Sequence, residues 1–169
     1  MRKKFRLLFL ILILTFNLYG CGEKTIDTSP INNTGKTFID SNLSNNFILS
    51  YKVETDGLKV NFIIDITPKN NTIFNKTIAI AYIDDCIMDF ISSNTYSTIG
   101  NFDDPIDMDI NMSNNSSSKG LSIARSITFK EDTDIDKLVP YLEKGINVAI
   151  SWKGGEEFLH VKDVEIIIK

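Results

Sequence analysis

Phe47-Ile-Leu-Ser-Tyr-Lys-Val-Glu-Thr-Asp-Gly57-Leu-Lys-Val-Asn-Phe-Ile-Ile-Asp-Ile66 is the stretch on which the fold turns. Its apolar residues recur with period two. Phe47, Leu49, Tyr51 and Val53 alternate with Ile48, Ser50, Lys52 and Glu54. After Asp56-Gly57, Leu58, Val60, Phe62, Ile64 and Ile66 alternate with Lys59, Asn61, Ile63 and Asp65. Successive side chains of a strand point to opposite faces, so this pattern predicts two strands with one buried face each. Asp-Gly between them supplies the positive φ of a tight hairpin turn. The stretch therefore reads as an antiparallel hairpin laid on a core.

Downstream, the strand pattern continues. Pro68-Lys-Asn-Asn71 closes the hairpin, and Thr72 to Ile83 is rich in β-branched residues. Ile106, Met108, Ile110 and Met112 alternate with Asp107, Asp109 and Asn111, and predict a half-buried strand. A polar run, Ser113 to Gly120, separates it from another strand over Leu121 to Lys130. One segment breaks the period. In Asp134-Ile-Asp-Lys-Leu-Val-Pro-Tyr-Leu-Glu-Lys-Gly145 the acids come first and Lys-Gly last, which suits the dipole and C-cap of a helix. Pro140 limits it to a short helix or helical turn. Ile146, Val148, Ile150 and Trp152 then alternate, Gly154-Gly155 turns the chain, and a final strand runs from Phe158 to Ile168. The apolar parity shifts within that strand between Val161 and Val164, which predicts a bulge near Lys162-Asp163.

About seven short strands with turns between them predict an all-β domain, an antiparallel sandwich, with a small barrel as the alternative. The last forty residues resemble the end of an immunoglobulin-like domain: helical turn, strand with Trp152, tight turn, final strand. The cysteine pair of antibody domains is absent. The resemblance implies an immunoglobulin-like β-sandwich over 47–169, with one short helix or helical turn before the last two strands.

Upstream of Phe47 the character changes. From 22 to 46 the chain is polar and turn-rich, with Thr28-Ser-Pro, Asn32-Asn-Thr-Gly and Ser41-Asn-Leu-Ser-Asn-Asn46. No apolar period is sustained, and a flexible chain of this length spans on the order of 25–30 Å. Residues 21–46 thus read as a tether. Residues 1–20 open with Arg2, Lys3, Lys4 and Arg6, followed by an apolar run from Leu7 to Leu14. That order is what a secretory signal needs, and the apolar segment is shorter than the roughly 20 residues of a spanning helix. Leu18-Tyr19-Gly20-Cys21 resembles the lipobox of bacterial lipoproteins, although Tyr19 stands where the pattern prefers a small residue. The resemblance covers the first 21 residues. It implies removal of 1–20, a diacylglycerol thioether on Cys21, and a place on the extracytoplasmic face of the cell membrane. A thioether there leaves the chain no intramolecular disulfide, so the domain is expected to draw its stability from its core. Cys86 lies among Asp84, Asp85 and Asp89, which disfavour a thiolate, and reads as a structural residue rather than a nucleophile.

Charge narrows the range of partners. The chain has 18 basic and 22 acidic residues; without the four basic residues of the opening, 14 face 22, a balance of −8. Such a surface repels nucleic-acid phosphates and anionic headgroups. The partners expected are the membrane, through the lipid on Cys21, and an envelope protein, with no nucleic acid.

Candidates for chemistry are few. His160 is the single histidine, and it shares parity with Glu156, Phe158 and Lys162 on a partly exposed face. Asp132, Asp134 and Asp136 have the spacing that opens a calcium loop, and Glu143 falls at its twelfth position. Lys137 and Pro140 occupy positions that such a loop does not give them. Calcium is the one ion this spacing suggests; acids at a helix N-terminus account for the same residues. Asp103, Asp104, Asp107 and Asp109, with Asp84, Asp85 and Asp89, would form an acidic pocket if their loops converged, and otherwise a solvated face. Arg125, the one arginine after residue 20, shares parity with Ile123 and Ile127. It is expected to make a structural pair at a sheet edge or to contact an anion. No nucleophile motif, phosphate loop or dinucleotide fingerprint is present, so no catalytic residue is assigned. The reading is a non-enzymatic binding or accessory module, with a cation-responsive domain as the alternative.

Overall fold

The computed structural model describes residues 35–70, 72–92, 97–101, 103–108 and 119–169. The expected hairpin forms from β2 (Phe47–Asp56) and β3 (Lys59–Pro68), in unbroken antiparallel register from Phe47↔Pro68 to Asp56↔Lys59. Gly57 turns it at φ +58°, a conformation open to glycine at little cost. Phe47, Tyr51, Val53, Val60, Phe62, Ile64 and Ile66 are all buried.

Two sheets enclose one core. The second sheet has the order β10-β2-β3-β7, where β7 is Leu121–Thr128 and β10 is Val164–Ile168. The first runs β1-β9-β8-β4-β5, from β1 (Ile39–Asp40) through β9 (Gly155–Val161), β8 (Ile146–Trp152) and β4 (Phe74–Tyr82) to β5 (Thr98–Gly100). A short β6 (Ile106–Met108) also pairs with β4. The fold is a β-sandwich, and its inner faces interleave Val53, Phe62 and Ile123 with Ala79, Val148 and Leu159 in one cluster. At the hairpin end of β8 and β9, Phe47, Phe74 and Trp152 meet edge-on or tilted at centroid distances of 4.6 to 5.4 Å. Contacts of this kind add to the burial of the rings themselves.

Helices close part of the sandwich. α1 (Asp85–Met88) and α2 (Ile135–Leu142) lie against each other, and Leu138 and Leu142 are fully buried. Pro140 is accommodated inside α2. Gly145 follows at φ +85°, so close to the β9 end that a Cβ would lie 2.0 Å from the Val161 carbonyl oxygen.

Three features depart from expectation. Structure begins before Phe47: β1 and a 3-10 turn, Ser41–Leu43, lie inside the stretch read as tether. Their cue is short because β1 contributes two residues and has no alternation to show. The sheets are mixed, since β1 runs parallel to β9 and β10 parallel to β2. The parity change at Lys162-Asp163 is a change of sheet, not a bulge within one strand. β9 ends at Val161 in the first sheet and β10 starts at Val164 in the second, so the buried side of the chain reverses. Ile110 and Met112, expected in a strand, lie outside the described residues.

Candidate functional site

The outer face of the first sheet carries the most varied chemistry. Strand register sets its side chains in rows. Phe158 stands beside Ala149, and Ala149 beside Ile80; one row on, His160 stands beside Asn147, and Asn147 beside Tyr82. These residues are half-buried although they face away from the core. The chain ahead of β1 covers part of the apolar row. Phe38, 3% exposed, meets Phe158 and Tyr82 edge-on at 5.5 and 6.0 Å. Lys36 lies over the Phe158 ring at 5.2 Å and pairs with Glu156 at 2.6 Å. That pair is about half exposed, so it orients more than it stabilises.

The neighbouring polar row is held together. Nδ1 of His160 lies 2.8 Å from Oδ1 of Asn147, and Lys162 pairs with Asp40 at 2.8 Å. Burial holds the His160 imidazole below the ordinary histidine value, and the Lys162 ammonium pushes the same way. A hydrogen bond to the Lys144 backbone and the Asp40 charge act against them. Asp40 itself is held below the usual carboxylate range, first by its hydrogen bond from Lys162 and then by the Asn42 amide. The contact with Asn147 fixes the orientation of the imidazole on the sheet surface.

Of the acids foreseen as calcium ligands, Asp134 caps a helix with its side chain: it is the N-cap of α2, and its carboxylate accepts from the Asp136 amide at 3.1 Å and pairs with Lys137 at 3.6 Å. Glu143 closes the opposite end of that helix, so Asp132, Asp134, Asp136 and Glu143 do not surround one point. Asp84 caps α1 by accepting from the Cys86 amide at 2.7 Å, and Asp40 caps the 3-10 turn in the same way. Among the described residues no three His, Cys, Asp or Glu side chains are grouped to hold a metal ion. Asp107 accepts from the Lys76 amide at 3.0 Å, where Lys76 has φ 56° and the β4–β6 register shifts. Asp109 lies outside the described residues.

Arg125 sits where its parity put it, half-buried on the inner face of β7. Its guanidinium donates to the Thr98 carbonyl at 2.5 Å and ties the edge of the second sheet to β5 of the first. Cys86 lies in α1 and is disulfide-bonded, which departs from the expectation of a domain without a disulfide. The chain's other cysteine, Cys21, lies outside the described residues.

Three residues that hold the first sheet together were not singled out from the sequence: Phe38 and Asn147 on its outer face, and Asn101 at its edge. Asn101 accepts from the Ala79 amide at 2.8 Å and donates to the Thr77 and Asp104 carbonyls at 3.1 Å, standing in for a strand residue between β5 and β6. A lone asparagine in a polar run carries no local signal of such a role.

No protein-family model matches the chain, and no curated protein matches it. Among solved structures it is similar to the ligand binding region of Serine-glutamate repeat protein A of Enterococcus faecium. The match has 9% sequence identity and a TM-score of 0.31, and covers 71% of this chain and 97% of that one. No helix among the described residues is long and apolar enough to cross a membrane.

Proposed function

We propose that this chain is an extracytoplasmic binding or accessory module, held at the outer face of the cell membrane and without catalytic activity; lipidation at Cys21 belongs to a form in which that sulfur is not engaged in the disulfide of Cys86. One observation carries the reading. A basic opening, an apolar run and Leu18-Tyr19-Gly20-Cys21 follow in order, ahead of a polar stretch and a β-sandwich. Two acyl chains, at about 0.8 kcal/mol per buried methylene, are enough for stable anchoring. The use of Asp40, Asp84 and Asp134 as caps, and of His160 as a partner for Asn147, supports a scaffold built for presentation. The acidic balance of the chain beyond residue 20 favours a protein partner over phosphate-rich surfaces.

The test compares wild type with Cys21→Ser in intact cells, by fractionation and by cross-linked pull-down. The reading expects wild type in the membrane fraction with a reproducible envelope partner, and loss of both in the variant. Equal fractionation of the two versions would reject the anchor. Retention of the anchor with nothing co-purifying would reject the protein partner.

A further inference from the structure

Strand β10 stands at an edge of the second sheet. One side pairs with β2 in parallel register, from Val164↔Tyr51 to Ile168↔Thr55, and no described residue pairs with the other. In a parallel ladder the N–H and C=O of one residue point the same way, and successive residues alternate. The Lys169 amide donates to the Thr55 carbonyl at 3.1 Å. Lys169, Ile167 and Glu165 therefore turn their backbone groups toward β2, while Val164, Ile166 and Ile168 turn theirs to the open side. That edge is aliphatic, with Ile168 59% exposed. It carries no proline, bulge or inward charge, the devices that keep edge strands from pairing.

We propose that β10 pairs antiparallel with β10 of a second copy of this chain, about a two-fold axis at Ile167. In that register the sequence complements itself. Glu165 falls opposite Lys169, Ile166 opposite Ile168, and Ile167 opposite its own mate. Ile166 and Ile168 are the residues whose backbone groups face outward, so they exchange N–H···O bonds across the axis. An axis at Glu165 would set like charges opposite each other. An axis at Ile166 satisfies the backbone but sets Glu165 against an isoleucine. Lys169 is already held over this face, 3.5 Å from Glu54 of its own chain, where Glu54 also meets Lys52 at 2.6 Å. The interface is isologous, and one sheet runs through both copies. The proposal stands apart from the lipid on Cys21.

The test is oxidative cross-linking of the full chain in cells, read on a non-reducing gel. A non-hydrogen-bonded antiparallel pair holds its Cα atoms about 4.5 Å apart, within disulfide range. Ile167→Cys is compared with wild type, which carries the native cysteines, and with Ser126→Cys on β7 at the other edge of the same sheet. The expected result is a reducible species of twice the chain mass, several-fold above both controls. Adding Glu165→Lys lowers it about tenfold, and adding Lys169→Glu as well restores it. That rescue separates a charge pair from a damaged fold. The proposal is overturned by cross-linking no greater than that of Ser126→Cys, by a loss the double reversal does not rescue, or by an adduct to a different protein.

Discussion

Tyr51 is 2% exposed on the inner face of β2, and burial pushes its phenol well above the ordinary value. Its hydroxyl has no hydrogen-bond partner among the described residues. A buried hydroxyl without a partner costs about 1–3 kcal/mol, so Tyr51→Phe is expected to leave stability unchanged or raise it by about 1 kcal/mol. Denaturant melts check this, and a loss of more than about 1 kcal/mol would contradict the placement of the hydroxyl. His160 gives the molecule a pH dependence. Its folded pKa lies below the ordinary value of 6.5, so the unfolded chain takes up the proton first. The stability it contributes is complete above that value and is lost as pH falls through the depressed folded value. Asp40 and Glu54, both held below the usual carboxylate range by lysine hydrogen bonds, lose their contributions at lower pH still. The melting temperature should therefore fall on acidification in two stages. His160→Gln should flatten the upper stage and spare the lower; an upper stage unchanged in the variant would refute the assignment.

The elements show which signals survive in sequence. Period-two alternation located β2, β3 and β8 because each buries one face along most of its length. It also revealed the junction of β9 and β10, since a strand that changes sheets must change parity. The cause of that shift was not legible, because a bulge within one sheet and a crossing between two leave the same trace. β1 was illegible for a different reason: two residues carry no period, and their place comes from pairing with Leu159 and His160. The calcium-like spacing of Asp132, Asp134 and Asp136 arose because helix N-termini and ion loops both collect acids. Two predictions belong at this scale. Asp134→Ala should cost about 1 kcal/mol through loss of the α2 cap, equally with calcium or with chelator. A cost that appears only in calcium would restore the ion-site reading. Gly145→Ala should cost at least about 2 kcal/mol, because the added Cβ meets the Val161 carbonyl and φ is +85°. A thermal melt close to wild type would show that the α2–β8 corner can shift.

For the molecule as a whole, the address and the domain class come from different parts of the chain. The sandwich is written in strand periodicity and rests on one core shared by both sheets. Its partner is written nowhere in the same way, because a binding face on a β-sandwich needs no fixed spacing along the chain. The outer face of the first sheet combines β9, β8, β4 and the segment at Phe38, brought together only by pairing. The proposed address depends on Cys21, whose sulfur has two competing fates: a thioether to diacylglycerol excludes any disulfide at that atom. The measurement that separates them is the mass of the N-terminal peptide of the mature protein, taken from membranes without reduction. The proposed function predicts a peptide that begins at Cys21 and carries diacylglycerol on its sulfur. A peptide that retains residues before Cys21, or one linked through Cys21 to the peptide containing Cys86, would contradict it.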